Sequence, residues 1–106
     1  MIKIIYLIFG HFLFDYPLQG DFIASGKNHR NPIPGIPFYW PLIAHCFLHG
    51  VTVGFILNNY YLGGCEFVSH IIADYVKCEG LTTLDQDQLF HILCKSAWLL
   101  IYYLLK

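Results

Sequence analysis

The chain has 106 residues, room for one domain spanning 1–106. Charged residues make up 12% of it, apolar residues 57% and aromatics 18%; soluble domains usually carry roughly twice that share of charge, so neither a well-solvated small globule nor a disordered chain fits. Six Lys and Arg against seven acids leave no basic stripe, which excludes a nucleic-acid partner.

The first apolar run extends from Ile2 to about Gln19. It lacks a small-residue cleavage site and is read as a retained first span, not a signal peptide. A loop, Gly20 to Pro37, follows. It holds Lys27, His29 and Arg30 and then a Pro-rich stretch that cannot continue a helix. The second run is Phe38 to about Tyr61, opened by Tyr39, Trp40 and Pro41. Proline suits a helix's first turn, and Tyr and Trp favour a membrane interface. The segment from Asn58 to Gly64 reads as the turn that ends it. The third run, about Cys65 to Cys78, is short for a span. The polar loop from Glu79 to Gln86 offers Thr83 or Asp85 as the next cap. The fourth run, Asp87 to Lys106, ends in an aromatic stretch whose Trp98, Tyr102 and Tyr103 read as a lipid-facing or interfacial belt.

Each run is roughly 14–24 residues, against the ~20 needed to cross a bilayer core. The expected architecture is all-α: a small transmembrane bundle of four helices, up-down-up-down, integral to a membrane, with the bacterial inner membrane as its place. Loops one and three carry Lys27, Arg30 and Lys77, and the opposite side carries Lys3 and Lys106. That difference leans loops one and three towards the cytoplasm by a single residue. Cys46, Cys65, Cys78 and Cys94 form no CxxC pair and do not suggest a disulfide framework.

Every run carries one pair of potential ligands four residues apart. They are His11 and Asp15, His45 and His49, His70 and Asp74, and Asp87 and His91. Positions i and i+4 stack on one face of a helix, so each helix would present a two-toothed clip, the spacing by which helices chelate metals. The pairs alternate between late and early positions as the chain direction alternates. All four then lie about 3–16 Å inside the ends nearest loops one and three. Eight side chains can converge in that one layer, as in bundle cores that bind two metals. A hydrogen-bonded polar core or a proton relay would also place His and Asp inside a bundle.

Gln88 neighbours Asp87 and can orient a ligand. Gln19 and Asp21 sit near the mouth, Asp21 as a helix cap in preference to a ligand. Lys27, Arg30 and Lys77 flank the mouth and can meet lipid headgroups or an anionic substrate. Cys78 and Cys94 read as packing. Lys95, one turn after His91, can touch the site or snorkel. Glu66 lies at the far end of its run and reads as too distant, and His29, with no partner at i+4, stands outside the cluster.

Neutral His and ionised Asp suit one or two divalent transition ions: zinc first, then manganese or iron. Such an ion brings water near neutral pKa, and two can clamp a phosphoryl group. Asp15 and Asp87 are the candidate catalytic carboxylates, the one left free of metal acting as general base. The reading is a membrane-embedded metal-dependent hydrolase acting on an anionic lipid or lipid-linked phosphate. Two alternatives stand beside it: a non-catalytic, phage-encoded membrane factor that modulates a host complex, and a His/Asp-lined proton or ion pathway. The expected partners are membrane lipid and other copies of the chain.

Taken in order, the motifs resemble a family of small bacterial and phage membrane proteins, the domain of unknown function 3307 family. They are His11-Phe-Leu-Phe-Asp15 with Leu18-Gln-Gly-Asp21, then His45 with His49, His70-Ile-Ile-Ala-Asp74, and Asp87-Gln-Leu-Phe-His91. The resemblance spans nearly the whole chain, departing in the Pro-rich first loop and the polar approach to the third run. It implies the membrane bundle and the shared site, draws Gln19, Asp21 and Gln88 into the motifs, and implies no reaction.

Overall fold

A computed structural model describes residues 2–106. Five helices and no strand occur among them: α1 (Ile2–Asp15), α2 (Gly20–Gly26), α3 (Tyr39–Leu57), α4 (Tyr60–Cys78) and α5 (Leu84–Leu104). The chain is all-α as expected, but it has five helices where the sequence pattern suggests four. The extra element, α2, falls in the segment read as loop. It has seven residues with Gly at both ends and no side-chain cap, so nothing local announces it. Tertiary contact holds it instead: a Cβ on Gly26 would meet Pro41 Cγ at 2.8 Å. Asp21, expected as a cap, sits exposed inside the first turn of α2, where a carboxylate favours the helix dipole.

Two residues join α3 to α4. Asn58 closes α3 in the left-handed region, with φ 50°, and the Asn59 side chain accepts from the backbone N–H groups of Tyr61 and Leu62. Helix α4, which corresponds to the third expected run, therefore begins at Tyr60, not near Cys65, and Gly63 and Gly64 lie within it instead of in a turn. Gly63 serves close packing. A Cβ there would lie 2.6 Å from the Gly50 carbonyl oxygen on α3, and one on Gly50 would lie 2.9 Å from the Gly63 oxygen. These small residues let two backbones approach. Gly63→Ala is expected to destabilise the fold by roughly 1–3 kcal/mol through overpacking. Gly64→Ala, which meets nothing within 4 Å, should be neutral or stabilising by up to about 1 kcal/mol. Thermal unfolding of the two variants checks the contrast.

At the start of α5, Thr83 is the cap. It forms a reciprocal capping box with Gln86. The helix thus opens at Leu84 and places Asp87 in its first turn.

The four long helices form a ring. α1 packs on α3 and α5, α4 packs on α3 and α5, and α2 leans on α3. Contacts pair the start of one helix with the end of its neighbour. Lys3 Nζ donates to the Ile56 carbonyl at 3.2 Å, and Lys77 Nζ lies 3.8 Å from Asp87.

Burial is inverted relative to a water-soluble protein. The buried apolar set is Leu7, Leu42, Cys46, Val53, Leu57, Leu62 and Ala73. It is outnumbered by nine buried polar or charged residues: His11, His45, His49, Glu66, His70, Asp74, Asp87, His91 and Lys95. Phe9, Phe47, Phe55, Val68, Ile72, Leu89 and Leu93 on the long helices face outward, Phe55 with 76% of its surface exposed. The apolar core gathers at one end of the ring, where Leu7, Val53, Leu57 and Leu62 pack with Trp98 and Tyr102. Trp98 and Tyr102 therefore belong partly to the interior; Tyr103 is the exposed member of the expected belt. Among the described residues, α3 alone is long and apolar enough to cross a membrane, a property that the core helix of a soluble protein can share. α4 and α5 are as long, but their averages include Glu66, Asp74, Asp87 and Lys95, all of which are buried inside the ring.

Candidate metal centre

The i, i+4 clips project from the four long helices into the end of the ring nearest the α1–α3 and α4–α5 connections. Asp15 from α1 meets three imidazoles there. Its Oδ1 lies 3.1 Å from His45 Nε2, 2.9 Å from His49 Nε2 and 3.7 Å from His70 Nε2. The ligand atoms of these four residues all lie within 4.8 Å of one another. A tetrahedral ion with ~2.0 Å bonds would space its ligand atoms by about 3.3 Å, so the observed separations suit a shared cation.

A second group joins α4 and α5. His91 Nε2 lies 3.3 Å from Asp87 Oδ1 and 3.6 Å from Asp74 Oδ1. Asp74 links the two groups, because its other oxygen, Oδ2, lies 3.5 Å from His45 and 3.7 Å from His70. The imidazoles of His49, His70 and His91 stack in series, with centroids 3.8 and 4.1 Å apart.

Closeness is not satisfaction. Asp15 Oδ1, Asp87 Oδ1 and the Nε2 atoms of His45, His49, His70 and His91 are buried, and none has an aligned hydrogen-bond partner among the described residues. Buried polar atoms left in that state are costly. The six come from four helices, and imidazole nitrogen with carboxylate oxygen is a donor combination that divalent cations take.

Of the eight expected ligands, seven fall in these groups. His11 stands beside them: its ring is 5.0 Å from that of His91, and its Nε2 is 2.9 Å from Gln88 Oε1. Gln88 is the organiser of that corner. Its Nε2 donates to Asp15 Oδ2 at 3.1 Å and to Asp87 Oδ2 at 3.3 Å, so one amide orients a carboxylate from each group. Gln19 Nε2 donates to the Asp15 carbonyl at 3.0 Å and steadies the end of α1. Cys46, buried on α3, also brings its sulfur within 4.8 Å of ligand atoms of His70 and Asp74; Cys78 and Cys94 stand outside the ligand groups.

Glu66, read as too distant, is where sequence reasoning fell short; Lys95, read as touching the site or snorkelling, is buried against it. Glu66 is wholly buried and accepts from His70 Nδ1 at 2.9 Å, Lys95 Nζ at 3.1 Å and Trp98 Nε1 at 3.0 Å. With Nδ1–H donating to Glu66, His70 presents Nε2 as a free lone pair, the arrangement that fixes metal-binding imidazoles. Lys95 neutralises the carboxylate in place. The signal was present: Glu66-x-x-x-His70 repeats the clip spacing.

Lys27 Nζ lies 3.1 Å from Asp74 Oδ2 and Lys77 Nζ 3.8 Å from Asp87 Oδ2, so two of the three expected mouth cations sit directly on ligand carboxylates. The third, Arg30, is engaged elsewhere. It pairs with Glu79, which also accepts from His29 at 2.8 Å, and His29 stacks on Tyr75 at 3.7 Å. Hydrogen bonds from Arg30 and His29 hold the Glu79 carboxyl below its ordinary range. His29, set outside the cluster, thus ties the first loop to the end of α4. Compared with family models, curated proteins and solved structures, the chain gives no significant match.

Proposed function

We propose that the chain is a membrane-embedded, two-ion metalloprotein, a four-helix up-down-up-down transmembrane bundle that hydrolyses an anionic lipid or lipid-linked phosphate. The observation that carries it is the set of six buried, unpartnered ligand atoms converging from four helices. Asp15, His45, His49 and His70 would hold one ion, Asp87 and His91 the other, with Asp74 between them. Divalent ions in such a site supply Lewis acidity and hydroxide at neutral pH, and His with carboxylate suits zinc, manganese or iron. Asp15 and Asp87 each keep one oxygen directed at a ligand group and the other held by Gln88. Whichever of the two the ions leave free would orient an attacking water and accept its proton.

The membrane reading is supported by the inverted burial and by a long dimension of 46 Å, close to the ~40–45 Å of a bilayer with its headgroups. It is supported too by the pairing of helix starts with neighbouring ends. The ordered motifs that resemble the domain of unknown function 3307 family agree with it, and a bacterial inner membrane would be its place. A proton or ion pathway would need the polar chain to continue through the molecule. Beyond Glu66 and Lys95 the interior turns to Leu7, Val53, Leu57 and Leu62, which favours a one-sided site.

The test is release of inorganic phosphate from phosphatidic acid in mixed micelles by protein loaded with zinc or manganese. Chelation should abolish release and added metal restore it. Asp87→Asn should lose at least about 100-fold, the scale of a general base. Fully loaded protein that hydrolyses no lipid phosphate would leave the non-catalytic membrane factor as the better reading.

A further inference from the structure

We infer that Lys27 and Lys77 form a phosphate subsite at the mouth of the metal centre, and that this subsite selects a terminal phosphate, whether a monoester or a diphosphate end, over a phosphodiester. This rests on the two-ion reading above and narrows its substrate class.

A cavity of about 290 Å³ lies at the connection end of the ring, lined by Gln19, Lys27, Asn28, Asp74, Lys77 and Cys78 along with Ala24. At ~30 Å³ per water, it has room for a phosphate group with some hydration. Asp74 is shared between this cavity and the metal centre, so a ligand here would reach the ion positions. The two lysines come from separate elements, the end of α2 and the last turn of α4, and each pairs with a carboxylate of the centre. Arg30 takes no part, because Glu79 holds it.

Charge decides the ligand class. Without ions, Asp74 and Asp87 neutralise the two lysines and the mouth offers little to an anion. With two divalent ions, four positive charges meet three carboxylates, Asp15, Asp74 and Asp87, and the lysines lose their counter-charges. Glu66 and Lys95 cancel each other. Three positive charges are then uncompensated at the mouth, where the Lys27 side chain is 15% and that of Lys77 39% exposed, and an anion is the natural counter-charge. A diester carries one negative charge and leaves most of that excess. A monoester carries up to two and a diphosphate end up to three.

The experiment is calorimetric titration of manganese-loaded protein in detergent, with metal content measured for every sample. The probes are inorganic phosphate and dimethyl phosphate. Phosphate should bind the loaded protein, bind the chelated protein at least roughly tenfold more weakly, and outcompete dimethyl phosphate by a similar factor. Lys27→Gln and Lys77→Gln should each weaken phosphate roughly tenfold with metal content unchanged. Phosphatidic acid in micelles binding more tightly than glycerol phosphate would identify a lipid as the source of the group; equal binding would identify a soluble one. Full metal occupancy with phosphate affinity unmoved in the double lysine variant, or with dimethyl phosphate bound equally well, overturns the subsite and leaves the ion reading standing. Failure of the wild-type protein to take up metal sinks both.

Discussion

Asp74→Asn protein is expected to emerge from purification with almost no bound metal, whereas His91→Ala should retain the ion held by Asp15, His45, His49 and His70. The difference follows from connectivity. Asp74 Oδ1 faces His91 and Oδ2 faces His45 and His70, so among the clip carboxylates it is the one that faces both groups. Asparagine keeps the shape but loses the charge, and removes an anion that two cations would share. It also leaves Lys27, 3.1 Å away, to repel incoming metal. His91 belongs to the α4–α5 side only, in the groups that contain Asp74, Asp87 and Glu66. Elemental analysis of wild type and both variants, with helicity checked by circular dichroism, reads the result. Equal metal loss in the two variants would show that the sites are not separable through Asp74.

The second large effect concerns Glu66. Glu66→Leu removes the partner of Lys95, whose side chain is 1% exposed, and stranding a buried charge typically costs roughly 3–5 kcal/mol. Adding Lys95→Met should restore most of that stability, since apolar pairs often replace buried ion pairs without loss. It should not restore metal binding. His70 would still lack the acceptor for Nδ1–H, and loss of such a support weakens metal affinity by about 10–100-fold. The double variant therefore separates holding the fold from orienting the ligand. Thermal unfolding in detergent gives the first quantity and competition with a chelator gives the second. Wild-type metal affinity in the double variant would remove Glu66 from the centre's support.

The clip residues were legible because helical periodicity is a property of the chain itself. His11 with Asp15, or Asp87 with His91, can only share a face if the segment is helical, and alternating chain direction then fixes their common layer. Glu66 has the same four-residue relation to His70, but its distance from the mouth along the helix axis concealed its role. It acts one turn below the ligands, through Nδ1, and that second layer is invisible to a depth argument. Helix α2 was illegible because seven residues bounded by glycines carry no periodic signal; its contact with Pro41 is tertiary. Gly63 and Gly64 misled in the opposite direction. Two adjacent glycines resemble a turn, yet the turn is made by Asn58 and Asn59, and Gly63 is small because the Gly50 carbonyl lies against it. His29 has no helical partner, and its acceptor, Glu79, lies fifty residues away in the chain.

The most direct test of the centre is elemental analysis of the full chain purified in detergent without chelator, repeated after chelation and after reloading with zinc or manganese. Two equivalents of transition metal per chain, lost to chelator and regained on loading, are predicted. Protein that stays folded but holds no metal in the native and reloaded samples would contradict the assignment of these six converging atoms as ligands.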